Sequence, residues 1–149
     1  MGIIELASGA SCWRGLDCFR KGKVLSCNPA DTGAFDGRVQ GSADEPYEVH
    51  IDTAHVRRSK CNCPHADGKR VICKHQVALY FAVIPGSAEA FEEEQRRLEE
   101  QYWDDLERER ENRRQEIVKY VNSLTKQQLR EKLINALVVA EDDAYYQRW

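Results

Sequence analysis

Long apolar runs are missing from this chain. No stretch of its 149 residues approaches the about 18 consecutive apolar positions that would cross a bilayer, so no membrane segment is expected. The opening Met1-Gly2-Ile3-Ile4-Glu5-Leu6 lacks the basic start and extended apolar core of a secretory signal, which points to a cytoplasmic protein. Gly2 would suit N-myristoylation, but Leu6 stands where that signal wants Ser or Thr. Catalytic signatures are missing too. There is no Walker loop, no His-Glu-x-x-His, and no His-x-Glu paired with Pro-Cys-x-x-Cys, and the chain is read as a non-enzyme. Internal repeats and low-complexity linkers are absent. An excess of one charge is lacking as well: 22 basic against 25 acidic side chains leave a net charge of −3, too little to dictate a partner.

Cysteine, by contrast, is plentiful. Six thiols allow a disulfide framework, but a Cys-x-Cys pair is awkward to close on itself. Three of the six stand in a different arrangement: Cys61-Asn62-Cys63, nine residues, then Cys73-Lys74-His75. Zn²⁺ favours four sulfur or nitrogen ligands in a tetrahedron, and a site with four protein ligands is closed and structural rather than hydrolytic. Soft thiolates also select zinc over Mg²⁺ or Ca²⁺. The pattern therefore predicts Cys61, Cys63, Cys73 and His75 as zinc ligands. The plainer alternative is a set of buried cysteines beside an unrelated histidine, and His65 stands close enough to Cys63 to compete as a ligand. The remaining Cys12, Cys18 and Cys27 are odd in number, which suits a reducing compartment, and are expected as small core or half-buried residues.

The local patterns predict an α+β chain. Ser8 is placed to cap a helix over about 10–21, with Cys12, Trp13, Leu16 and Phe19 near one face and Gly22 just past its end. Short strands are expected over 23–27, ended by Asn28-Pro29, and around Phe35 to Gln40, with Gly37 at a bulge or bend. Tyr47-Glu48-Val49-His50-Ile51 alternates as a half-buried strand does, and a fourth extended piece is expected over 56–61. Val77, Ala78, Phe81 and Ala82 recur at helical spacing, stopped by Pro85-Gly86. From 88 to about 121 there is no Pro or Gly, and 107–116 has no apolar residue, the mark of a solvated helix supported by ion pairs. Thr125 with Gln128 forms a capping-box pattern for a last helix, with Leu124 and Leu129 placed as a hydrophobic staple.

The cysteine–histidine stretch resembles the SWIM zinc finger, whose pattern is Cys-x-Cys-x(n)-Cys-x-His. The likeness extends to Cys63-Pro64, to Val77-Ala78-Leu79, and to the Tyr47-x-Val49-x-Ile51 strand after Gly41. The stretch from Trp13-Arg14-Gly15 to Lys23-Val24 is similar to the lead-in of stand-alone bacterial members, so the resemblance covers roughly 8–85. It implies a ββα zinc unit, Zn²⁺ on Cys61, Cys63, Cys73 and His75, and a role in DNA binding or protein contact, often inside transposases and helicase-like ATPases.

The expected organisation is a zinc-stabilised small sheet plus helix over 1–85 and a charged α-helical tail over 86–149. Charge follows the same division: net +2 over 1–83, −6 over 84–116, and +1 over 117–149. Around the proposed metal stand Arg57, Arg58, Lys60, Lys69, Arg70 and Lys74, with Asp67 the one acid between 55 and 75. Two readings follow. These bases contact DNA or RNA phosphates, or they balance an anionic zinc centre. In the second case the tail, with Tyr102 and Trp103 on an otherwise charged helix, serves as a protein-interaction adaptor, for a partner such as a helicase-type ATPase.

Overall fold

The computed structural model describes residues 2–146, with side chains as far as 143. The chain divides into two compact units, Met1–Gln95 and Arg96–Trp149.

In the first unit, helix α1 (Ile3–Leu6) is followed by α2 (Gly9–Arg20), strands β1 (Val24–Asp31), β2 (Ala34–Val39) and β3 (Tyr47–Asp52), a 3₁₀ turn (Val56–Arg58), the short strand β4 (Lys60–Cys61) and helix α3 (Lys74–Val83). Helix α2 is bounded as the sequence predicts. The Ser8 hydroxyl accepts from the Ser11 N–H at 3.2 Å. At the other end, Gly22 takes φ 64°, and the N–H groups of Gly22 and Lys23 return to the carbonyls of Phe19 and Cys18. That double closure satisfies carbonyls the helix itself leaves free. Helix α1 has no counterpart in the sequence reading, although Ile3 is among the most buried side chains.

The four strands form one antiparallel sheet in the order β1-β2-β3-β4. Alternation divides its faces. Gly37, Val39, Val49 and Ile51 are buried, and the last three join a core with Leu16, Val77, Leu79 and Phe81. Ser26, Asn28, Asp36, Arg38, Glu48 and His50 share the opposite, polar face. Three expectations need correction. β1 does not end at Asn28-Pro29 but runs to Asp31, with Pro29 paired to Phe35. β1 is an edge strand, where a missing N–H leaves no ladder bond unmade. Gly37 marks no bulge in β2, since the register irregularities lie in β1. A Cβ there would stand 2.6 Å from Leu79 Cδ1 and 2.5 Å from the Ser26 carbonyl, so glycine is needed for the close approach of α3. The segment 56–61 is not one extended piece: a 3₁₀ turn comes first and only Lys60–Cys61 pairs with β3.

Helix α4 (Ser87–Ser123) starts in the first unit, where Ala88 and Phe91 are buried in the core. Phe91 meets Trp13 edge-on with centroids 5.2 Å apart, and Arg20 pairs with Glu92. The second unit comprises the rest of α4 and helix α5 (Lys126–Tyr146). Its charged face carries ion pairs one turn apart, such as Arg114 with Glu111. The predicted capping box is present: Thr125 Oγ1 accepts from the Gln128 N–H at 3.3 Å, and Gln128 Oε1 from the Thr125 N–H at 2.9 Å. Among the described residues of this unit none is buried. No described helix is long and apolar enough to cross a membrane.

Candidate metal centre and basic groove

Cys61 closes β4, and its partner Cys63 lies just beyond, where the chain leaves the sheet. The residue between them fixes this knuckle. Asn62 Oδ1 accepts from the Glu48 N–H at 2.9 Å, and the Asn62 N–H donates to the Glu48 carbonyl at 3.3 Å. Next the chain winds into a loop, with the N–H groups of Ala66 and Asp67 both on the Cys63 carbonyl. Cys73 is the N-cap of α3, and Gln76 Oε1 accepts from its N–H at 2.8 Å. His75 then falls in the first turn of the helix.

Strand end, knuckle and helix start bring Cys61, Cys63, Cys73 and His75 together. Their ligand atoms all lie within 4.8 Å of one another, and all four side chains are buried. His75 Nδ1 stands 3.8 Å from Cys61 Sγ and 3.9 Å from Cys73 Sγ. A zinc tetrahedron with its usual bond lengths has sulfur–nitrogen and sulfur–sulfur edges of about 3.6–3.8 Å, so the cluster suits that ion. The ring is held from behind: Tyr47 stacks on it at 4.6 Å, and a Cβ on Gly41 would lie 2.8 Å from Nε2 and collide with Tyr47. His65, the competing ligand, is exposed and outside the cluster. Among the described residues no second group of metal-ligating side chains forms; Cys12 and Cys18 are buried and Cys27, expected to be at least half buried, is exposed.

The electrostatics favour thiolate at Cys73. A hydrogen bond from Cys61 pushes the Cys73 thiol down to about 4, helped by His75 and by backbone N–H groups at the helix start and opposed by burial. The same bond is the main reason the Cys61 thiol is pushed up, with burial next. When bound there, Zn²⁺ would cross-link sheet, knuckle and helix; three thiolates and a neutral imidazole around it leave a local charge of −1.

The bases divide. Arg57, Lys60, Lys69 and Arg70 line one groove of about 800 Å³, formed by the polar sheet face and the loop over 66–70. Arg58 and Lys74 do not. Arg38, which sequence reading passed over, joins the groove from β2. Only its position in the strand alternation could have pointed to it. Among the described residues none of the groove's five bases makes an ion pair; Lys69 donates to the Pro64 carbonyl instead. Of the groove's acids, Asp36 is taken by its cross-strand neighbour His50, at 2.7 Å from Nδ1, leaving Glu48 and Asp67.

Residues 47–84 match the SWIM zinc finger. The matched segment opens at the first residue of β3 and ends just past α3, so it contains the whole Cys/His cluster. The SWIM segment is a zinc-binding module in which the residues placed to bind the metal are those converging here. Helix α2, β1, β2 and the helical tail lie outside the match. No curated protein and no solved structure matches the chain.

Proposed function

We propose that Cys61, Cys63, Cys73 and His75 ligate Zn²⁺ as a closed structural site, and that the zinc domain, residues 1–85, is a non-enzymatic cytoplasmic module binding DNA or RNA. Residues 86–149 are then its helical appendage. The observation that carries this reading is the groove: five bases converge on it from β2, the 3₁₀ turn, β4 and the metal loop, and none of the five has an acidic partner among the described residues. Arg58 and Lys74, equal candidates in the sequence, lie outside it.

Such a surface works by displacing counterions from phosphates, so affinity falls steeply with salt. Fluorescence anisotropy with labelled DNA and RNA is the test. The protein should bind at low ionic strength, and Arg57→Ala with Lys60→Ala should reduce the slope of log affinity against log salt by about 0.7–0.9 per base removed. An indifferent protein at low salt, with and without its tail, sinks the reading. A protein-interaction adaptor then takes its place, supported by Tyr102 and Trp103, both more than half exposed and edge-on to each other at 5.5 Å.

A further inference from the structure

The groove is not an isolated recess. A second pocket, about 300 Å³, shares Arg57, Ser59 and Arg70 with it and is walled by Leu6, Val56, Val71 and Ile72. Its character is different. Leu6 and Val71 leave 37% and 40% of their surface open at its rim, and Ser59 is already engaged, its hydroxyl accepting from the Asp52 N–H at 3.0 Å. A charged channel thus runs into an apolar pocket with two arginines at the junction.

We infer that this pair of recesses takes a single strand of nucleic acid, its phosphates along Arg38, Lys60, Arg57 and Arg70, and one unstacked base in the pocket between Leu6 and Val71. The inference rests on the nucleic-acid reading above and narrows it. A duplex is read by an element that enters its grooves, and ββα zinc modules use the helix for this. That route is closed here: His75, Gln76, Val77, Ala78, Leu79 and Phe81 of α3 are all buried. The protein presents recesses instead, and only an unpaired strand can lower its backbone into one and turn a base out into the other. No Phe, Tyr or Trp lines either recess, and the one imidazole in the groove, His50, is bonded to Asp36, so an extended stacking platform of the kind many single-strand binders use is not available. Phosphate contacts must dominate, with the apolar pocket adding a term that salt does not touch.

The two terms separate experimentally. Anisotropy titrations over a range of salt use a labelled oligothymidylate, the same sequence annealed to its complement, and inorganic polyphosphate as unlabelled competitor. Zinc content and circular dichroism confirm that each variant is folded. The oligothymidylate should bind more tightly than the duplex. Arg38→Ala with Lys60→Ala should flatten its salt slope by about 1.4, that is about 0.7 for each phosphate no longer neutralised, while Arg58→Ala, outside both recesses, leaves it unchanged. Val71→Ser should weaken the oligothymidylate roughly three- to tenfold with an unchanged slope, and should leave competition by polyphosphate, which has no base, as it was. If the duplex binds as tightly, or the Arg38/Lys60 pair or Val71 proves indifferent while binding persists, the single-strand inference falls and the broader reading stands. If neither nucleic acid binds, the broader reading has failed first.

Discussion

Asp52 shows how much one side chain can organise. At the end of β3 its Oδ1 accepts from the N–H groups of Ala54 at 3.0 Å and His55 at 2.7 Å, turning the chain into the 3₁₀ segment that delivers Arg57, Lys60 and Cys61. The backbone bond from His55 is the main reason its carboxyl sits below the usual range; burial works against this, while the charges of His55 and Arg58 and the backbone bond from Ala54 add to it. The sign follows. A carboxyl depressed on folding contributes stability in full above its unfolded value near about 3.9 and loses it as pH falls through the folded value. Asp52→Asn should therefore melt lower than the parent near neutrality, by a gap that does not narrow down to about pH 5. That gap should close only in the more acidic range, where loss of metal acts on both proteins alike. Thermal melts across pH check this, and a gap already narrowing above pH 5 contradicts it. At this scale the sequence was readable where chemistry is written in spacing. Two Cys-x-Cys/His pairs can do little else together than hold a metal. Asn62, Gly41, Arg38 and Asp52 were not readable in their roles, because each acts on a residue of another strand or across a turn.

At the scale of elements, the strong patterns translated directly: Ser8 and Gly22 around α2, the alternation of β3, the Thr125 capping box of α5. The misreadings share a cause. Pro29 is a breaker in local terms, and only its place on a sheet edge makes it harmless. Segment 56–61 has no helix-periodic apolar pattern and opens on the β-branched Val56, which suits an extended chain, yet Asp52 and Ser59 tie its first half into a turn. Gly37 reads locally as a weak point of a strand, whereas its tertiary role is to let α3 lie close over β2. That role makes a prediction. Gly37→Ala places a methyl against Leu79 Cδ1 and the Ser26 carbonyl, and the second of these is backbone that cannot rotate away. Overpacking of this kind costs about 1–3 kcal/mol, so urea unfolding of the zinc-loaded protein should show an unfolding free energy lower by that amount, read as a lower midpoint at an unchanged slope. Pairing Gly37→Ala with Leu79→Ala should recover little, since the carbonyl remains in the way.

For the whole molecule, the question is what makes a unit this small cohere. Its core is real but thin, and part of it is the metal cluster itself: Cys61, Cys63 and Cys73 count among the residues of the hydrophobic cluster. Structural zinc supplies about 10–16 kcal/mol of apparent binding energy at neutral pH, whereas a whole domain is stable by only about 5–15 kcal/mol. The metal term is therefore as large as the net balance, and its removal should not merely loosen the site. The bond network indicates where the loss begins. The cluster joins β4, the knuckle clamped to Glu48, and the start of α3, so it ties together just the stretch from β3 to α3. Chelation should abolish amide-exchange protection over residues 45–80, and Cys73→Ala should do the same without a chelator. Residues of α4 from Arg96 on and of α5 lie in the other unit, where none of the described residues is buried, so their exchange should be the same with and without metal. A thermal melt and exchange pattern unaffected by stripping would mean that the apolar core carries the fold alone. In that case the cysteine–histidine cluster, however well formed, would need a role other than structural.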